Sequence, residues 1–243
     1  MPDINKANRQ VCDLDIRILD THEPFLFFDT ANTNTTTINS DAVYAMAKGA
    51  RKIAFQNPLE GTLTVEAQVY PTKLFALMAD GVIDTEATFA HKERIKCSTA
   101  GQLTITGAES GTVFVYKDGD FGNSAKLIAG TYASNTFTAT TAADIAVNDY
   151  CEVGYIKKVS SGLNKVAFNN QRLPKDYYIT ALTVEKEEDG TLVPFKMTYY
   201  KASVQRNFEI SFSSEGDPAS LTVTFDLLED KDENFIDFIE ITS

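Results

Sequence analysis

The stretch from Tyr177 to Tyr200 decides the fold: YYITALTVE (177–185) runs into Glu188-Asp189-Gly190 and returns as LVPFKMTYY (192–200). β-Branched and aromatic residues fill both arms, and the Asp-Gly pair between them supplies hairpin-turn chemistry. Two antiparallel strands follow. Downstream, residues 207–213 (NFEISFS) put Phe208, Ile210 and Phe212 on one face, and residues 221–227 (LTVTFDL) do the same for Leu221, Val223, Phe225 and Leu227. That period of two is the mark of a half-buried strand. Glu215-Gly216-Asp217-Pro218 reads as the turn between them.

Working toward the N-terminus, residues 62–70 (TLTVEAQVY) alternate in the same way. Leu63, Val65, Ala67 and Val69 lie on one side, and Thr62, Thr64, Glu66 and Gln68 on the other. Pro71 ends that strand and opens a helix over 71–80, with an apolar stripe of Leu74, Phe75, Leu77 and Met78 and Gly81 just past its end. The segment 43–55 reads as a pair of strands leading into Asn57-Pro58 and Gly61. Residues 16–19 and 25–28 read as strands, and the Asn/Thr-rich run 29–40 as a long loop. The middle, 93–160, is rich in Gly, Thr and Ser, with short strands expected at 102–106, 112–117, 126–129 and 150–158. It is either a β-rich insertion or further strands of the domain formed by 1–92 and 161–243. The fold class is therefore mainly β: an antiparallel β-sandwich or barrel with one short flanking α-helix.

The chain of 243 residues carries 22 basic and 34 acidic side chains, a net charge of −12. Such a balance opposes the counterion release that drives binding to a phosphate backbone. The excess is concentrated in 161–243, with 8 basic against 15 acidic residues, whereas 93–160 carries 6 against 7. No apolar run approaches the length of a membrane helix or a signal peptide, so a soluble protein with no membrane partner is expected. Cys12, Cys97 and Cys151 are odd in number and lack CxxC spacing, against a disulfide framework or a structural zinc site.

Catalytic chemistry finds little support. His22 and His91 are the only histidines, too few for a three-histidine zinc site, and neither lies in a nucleophile motif. Asp230-Lys-Asp232-Glu-Asn234 begins like an EF-hand loop, but Phe235 and Ile241 occupy the positions that need Gly and Glu. The segment from Asp118 fails in the same way, with Asn123 and Ala129 there. Both are expected to be solvated turns. Neither GxxxxGK[ST] nor GxGxxG occurs. The expectation is a protein that is not an enzyme, with no cofactor and no metal.

Taken in order, the polar run 29–40, the strand pair ending near Gln56, the Asn57-Pro-Leu-Glu-Gly61 turn, the strand 62–70, the helix with Gly81, and the late hairpin followed by FEISFSSEGDP and LTVTFDLL resemble the major tail tube proteins of long-tailed bacteriophages, contractile or non-contractile. The resemblance covers 1–92 and 161–243 most firmly. It implies a β-sandwich that assembles into stacked, hexameric rings, one sheet of each subunit continuing around the ring to line a lumen for DNA. Thr64, Glu66 and Gln68 on one strand and Asn207, Glu209 and Ser211 on another are then the lumen-facing candidates. Asn32, Asn34, Thr36 and Asn39 are candidates for contact with a neighbouring subunit. The implied partners are the chain itself, other tail proteins (sheath if contractile, tape measure, baseplate, terminator) and passing DNA that is not tightly held. The implied location is the virion tail, after synthesis in the host bacterial cytoplasm. The alternative is a β-sandwich module that binds carbohydrate or a receptor, with Tyr116, Tyr132 or Tyr155 standing in for the absent tryptophan.

Overall fold

A computed structural model describes residues 5–210, 214–216 and 218–241. In chain order, the first strands are β1 (Lys6–Ala7), β2 (Asp13–Ile18), β3 (Pro24–Phe28), β4 (Thr33–Asn39), β5 (Ala42–Ala47), β6 (Ala50–Gln56) and β7 (Glu60–Ala67), followed by helix α1 (Thr72–Met78). Next come β8 (Ala87–Lys96), β9 (Gln102–Thr104), β10 (Phe114–Lys117), β11 (Gly130–Ala133), β12 (Thr136–Ala139) and β13 (Tyr150–Val159). The chain closes with β14 (Asp176–Glu187), β15 (Leu192–Val204), β16 (Leu221–Leu228) and β17 (Ile236–Glu240). The fold is mainly β and antiparallel, with α1 as the single α-helix among the described residues; the sheets do not close into a barrel.

The chain divides into two compact units. Unit 1 combines the chain up to Ile83 with the chain from Val166 onward, and unit 2 is Asp84–Lys165. The bounds of unit 2 are wider than 93–160, because β8 lies across residue 93 and pairs along its whole length with β13.

Unit 1 is built on the β14–β15 hairpin. Its neighbours give the order β3-β2-β14-β15-β16-β7-β4, with β1 on the far end of β14 and β17 on the first half of β15. Alternation along β14 buries Tyr177, Ile179 and Ala181; on β16 it buries Leu221, Val223, Phe225 and Leu227. Between the pairs Tyr177/Ala202 and Ile179/Tyr199, β15 carries one residue more than β14. That bulge bends the hairpin. The sheet folds over its own apolar face, and hydrogen bonds mark the closure. Thr36 on β4 pairs its hydroxyl with that of Tyr199 on β15 at 2.6 Å, and Asn34 Nδ2 donates to the Cys12 carbonyl at 2.6 Å. Helix α1 adds Leu74, Leu77 and Met78 to this core, and Phe75 packs edge-on to Tyr70.

Three expectations are corrected here. The run 29–40 is largely strand β4, hydrogen-bonded along β7 from Thr33/Glu66 to Asn39/Glu60. Threonine favours a pleated backbone, and the inward positions Asn34 and Thr36 use hydrogen bonds where a typical strand uses apolar burial, so no hydrophobic alternation announces it. Residues 207–210 form no strand, and 211–213 lie outside the described residues. Val69 falls beyond the end of β7 and is exposed.

Unit 2 has its own core, including Cys97, Leu103, Ile105, Val115, Phe137, Ile145, Cys151 and Val153, enclosed by the sheets β10-β13-β8 and β11-β12-β9. The chain enters and leaves through one point, where Asp84 and Lys165 exchange backbone hydrogen bonds at 2.8 and 2.9 Å. Strands β8, β11 and β12 were not legible from sequence. The strand expected at 126–129 is instead the end of a 3-10 turn and a single bridge from Ile128 to Val115.

Candidate assembly and conduit surfaces

The histidines are packed against rings. His22 meets the edge of Tyr178 with centroids 5.0 Å apart, and His91 lies between Phe89 and Tyr155. In the 230–234 loop, Asp230 Oδ1 accepts the backbone N–H groups of Asp232 and Asn234, both at 2.9 Å, so the carboxylate closes a turn. Those donors hold its pKa below the ordinary carboxylate value, the Asn234 side-chain amide contributing most. Among the described residues no group of three or more His, Cys, Asp or Glu is placed to hold a metal ion. None of the described helices is long and apolar enough to cross a membrane.

The outward face of β4, β7 and β16 is uniform in chemistry. Its register aligns three rows across the strands: Thr33–Glu66–Thr222, Thr35–Thr64–Thr224 and Thr37–Thr62–Asp226. Seven of these nine positions are threonine and the other two are acidic, with no cation among them. The Thr64 and Thr224 hydroxyls lie 3.4 Å apart, and Gln205 Nε2 donates to Asp226 at 2.6 Å. This face is hydroxylic, weakly anionic and unable to form an ion pair with phosphate.

Of the lumen candidates, Thr64 and Glu66 lie on this face, and Gln68 is exposed just past the end of β7. Asn207 and Glu209 are exposed but off any strand, so strand pairing does not bring them to the face; Ser211 lies outside the described residues. Thr222, Thr224 and Asp226 were missed although LTVTFDL displays them as the polar complement of its buried positions. Thr33, Thr35 and Thr37 had no signal, because only the pairing of β4 with β7 puts them there. Among the neighbour-contact candidates, Asn34 and Thr36 point inward as described, whereas Asn32 and Asn39 are exposed at the two ends of β4. Asn32 also donates its backbone N–H to the Glu66 carbonyl at 2.7 Å.

A second surface is the β5–β6 hairpin, a two-stranded sheet of its own. Its two-residue turn, Lys48-Gly49, has positive φ at both positions (51° and 80°), the geometry that matches the twist of a tight hairpin. Register puts Val43 opposite Phe55 and Ala45 opposite Ile53, so one face is wholly apolar. That face is open: Val43, Ile53 and Phe55 are 60%, 56% and 58% exposed. On the other face Arg51 lies 4.3 Å over the Tyr44 ring. The sheet of unit 1 also ends in two edge strands, β3 with exposed Phe27 and β4.

Residues 9–241 match the YomU/Tube protein family, and the chain belongs to it. No curated protein matches the sequence.

Proposed function

We propose, from that membership, that the chain is the structural subunit of a bacteriophage tail tube, without enzymatic activity, that assembles with copies of itself into stacked rings conducting DNA. The observation that carries this reading is the open apolar face of the β5–β6 hairpin. A two-stranded hairpin is marginally stable alone in water, and an apolar patch of this kind marks an interaction surface. Covering the exposed parts of Val43, Ile53 and Phe55 recovers roughly 1 kcal/mol apiece. A neighbouring copy is the cover a tube subunit has at hand. The edges β3 and β4 invite the same outcome, because unpaired strand edges pair with other chains unless something blocks them.

In such a tube the threonine face is suited to the lumen. Hydroxyls are well hydrated, two carboxylates per subunit repel phosphate, and without a cation no counterion is released on contact. DNA passes such a wall without being held. The tail partners and hexameric ring symmetry come from the tail-tube resemblance.

The test is assembly. Negative-stain electron microscopy and light scattering of the purified protein should show rings or tubes, and Ile53→Asp with Phe55→Asp should leave a monomer with unchanged circular dichroism. A wild-type protein that stays a monodisperse monomer at high concentration would reject the proposal.

A further inference from the structure

On the outward face of β10-β13-β8, register aligns Phe114, Gly154 and Lys92 in one row and Tyr116, Glu152 and Arg94 in the next. Gly154 leaves a gap in the first row, and Phe121, from the loop after β10, fills it. A Cβ at residue 154 would lie 2.8 Å from the Phe121 ring atoms Cε2 and Cζ. The loop is pinned on several sides. Lys92, and to a lesser extent the backbone N–H groups of Gly119 and Phe121, hold the Glu152 carboxyl below its ordinary pKa, and Arg94 forms a fork on Asp118 at 2.7 and 2.6 Å. Lys92 reaches Glu152 at 2.7 Å while sitting 4.3 Å over the Phe121 ring, and Tyr116 meets that ring edge-on at 5.4 Å.

Despite this support, Phe121 is 41% exposed and Phe114 49% exposed. Beside them opens a cleft of about 670 Å³, floored by Gly154 and Ile156 and lined by both rings and Tyr116. Its size is that of a small-ligand site, ~300–1,000 Å³. The charges fix the ligand class. Lys92 is paired with Glu152 and Arg94 with Asp118, so an ionic ligand would have to break an existing pair. Unit 2 holds nine acidic and eight basic residues, leaving 25 and 14 of the chain's totals to unit 1. The matching ligand is neutral, with flat C–H faces for the rings and a hydroxyl rim. The Tyr116 hydroxyl, which makes no hydrogen bond among the described residues, and the open backbone at Gly111 and Gly122 can meet that rim.

We propose that this cleft binds a neutral glycan, with a pyranose ring lying against Phe114 and Phe121. The site needs only unit 2, so it stands or falls independently of the tube reading. Of the tyrosines the sequence offered, Tyr116 lines the cleft, Tyr155 is buried at its side and Tyr132 packs against the core of unit 2.

The experiment is saturation-transfer NMR and calorimetry on the full chain with chitotriose and maltotriose, and with trigalacturonate as the anionic comparison. At least one neutral trisaccharide should bind, and Phe114→Ala or Phe121→Ala should weaken it about tenfold or more. Phe114→Leu, which keeps apolar volume and removes the ring, should weaken it as well. Phe27→Ala, which removes an exposed ring from unit 1, should leave it unchanged. No binding of either neutral sugar, equal binding by the ring variants, or tighter binding of trigalacturonate would overturn the site. So would uptake of an apolar dye at the cleft with which the trisaccharides do not compete.

Discussion

Unit 2 closes its core between two sheets, whereas unit 1 carries a hairpin sheet that lies outside its core. In unit 2 two three-stranded sheets enclose one core, its ends are stitched at Asp84 and Lys165, and Asp118 and Phe121 tie the loop to its outer face. Unit 1 has the larger core, yet it leaves an apolar hairpin face in water. Charge divides the same way: unit 1 carries 25 acidic against 14 basic residues, and unit 2 is close to neutral. The contrast teaches which kind of partner to seek at each unit. Unit 1 exposes an apolar hairpin face, and unit 2 has a cleft of small-ligand size.

The strongest way to break this comparison is to destabilise one unit and watch the other. Phe225 is buried in the core of unit 1, and Phe225→Ala should cost about 3–5 kcal/mol there. Calorimetry should then resolve an early transition for unit 1 while unit 2 melts at its original temperature. One transition that shifts as a whole would mean the units are coupled.

Excision sharpens the same point. Because Asp84 and Lys165 are hydrogen-bonded neighbours, replacing 85–164 by a short Gly/Ser linker closes a small loop and should change the stability of unit 1 by no more than about 1 kcal/mol. Assembly should survive. Insoluble protein would show that unit 1 depends on its insert.

Tyr177 provides a smaller effect of opposite sign. Its ring packs against Phe25, but its hydroxyl is buried and has no hydrogen-bond partner among the described residues. Burial, with a lesser contribution from Asp80, pushes its pKa upward. Tyr177→Phe keeps the ring and removes the unsatisfied group, so stability should hold or rise by up to about 1 kcal/mol. A loss of melting temperature would reveal a partner the hydroxyl depends on.

The smallest effect on stability should come from the threonine face. Glu66→Lys with Asp226→Lys should alter folding by about 0.5 kcal/mol per site, since both side chains lie on the outward face. Genome delivery by particles carrying the variant should fall and recover in part at higher salt, because each lysine on the wall adds a counterion-release term. Normal delivery by assembled tails would place this face outside the conduit.

The sequence alone determined those elements whose buried face is written in apolar residues. The β14–β15 hairpin, β16, β7 and α1 were legible because each covers the core with Leu, Ile, Val, Phe or Tyr at the period of its backbone, which needs no knowledge of neighbours. The same rule explains Thr64 and Glu66, the polar complement of Leu63 and Val65. Tertiary structure alone decided the rest. β4 has threonine where a legible strand has hydrophobes, and it became a strand because β7 offered a ladder and Tyr199 and Cys12 offered hydrogen-bond partners to its inward side chains. The threonine face exists only because β16, from the far end of the chain, pairs with β7 in one register, and no local pattern encodes that pairing. Phe121 is likewise an unremarked residue in a turn until Gly154, 33 positions later, leaves the space its ring fills. Periodicity records what a residue must be buried from, whereas pairing records what it is buried against, and the second is fixed only when the whole chain has folded.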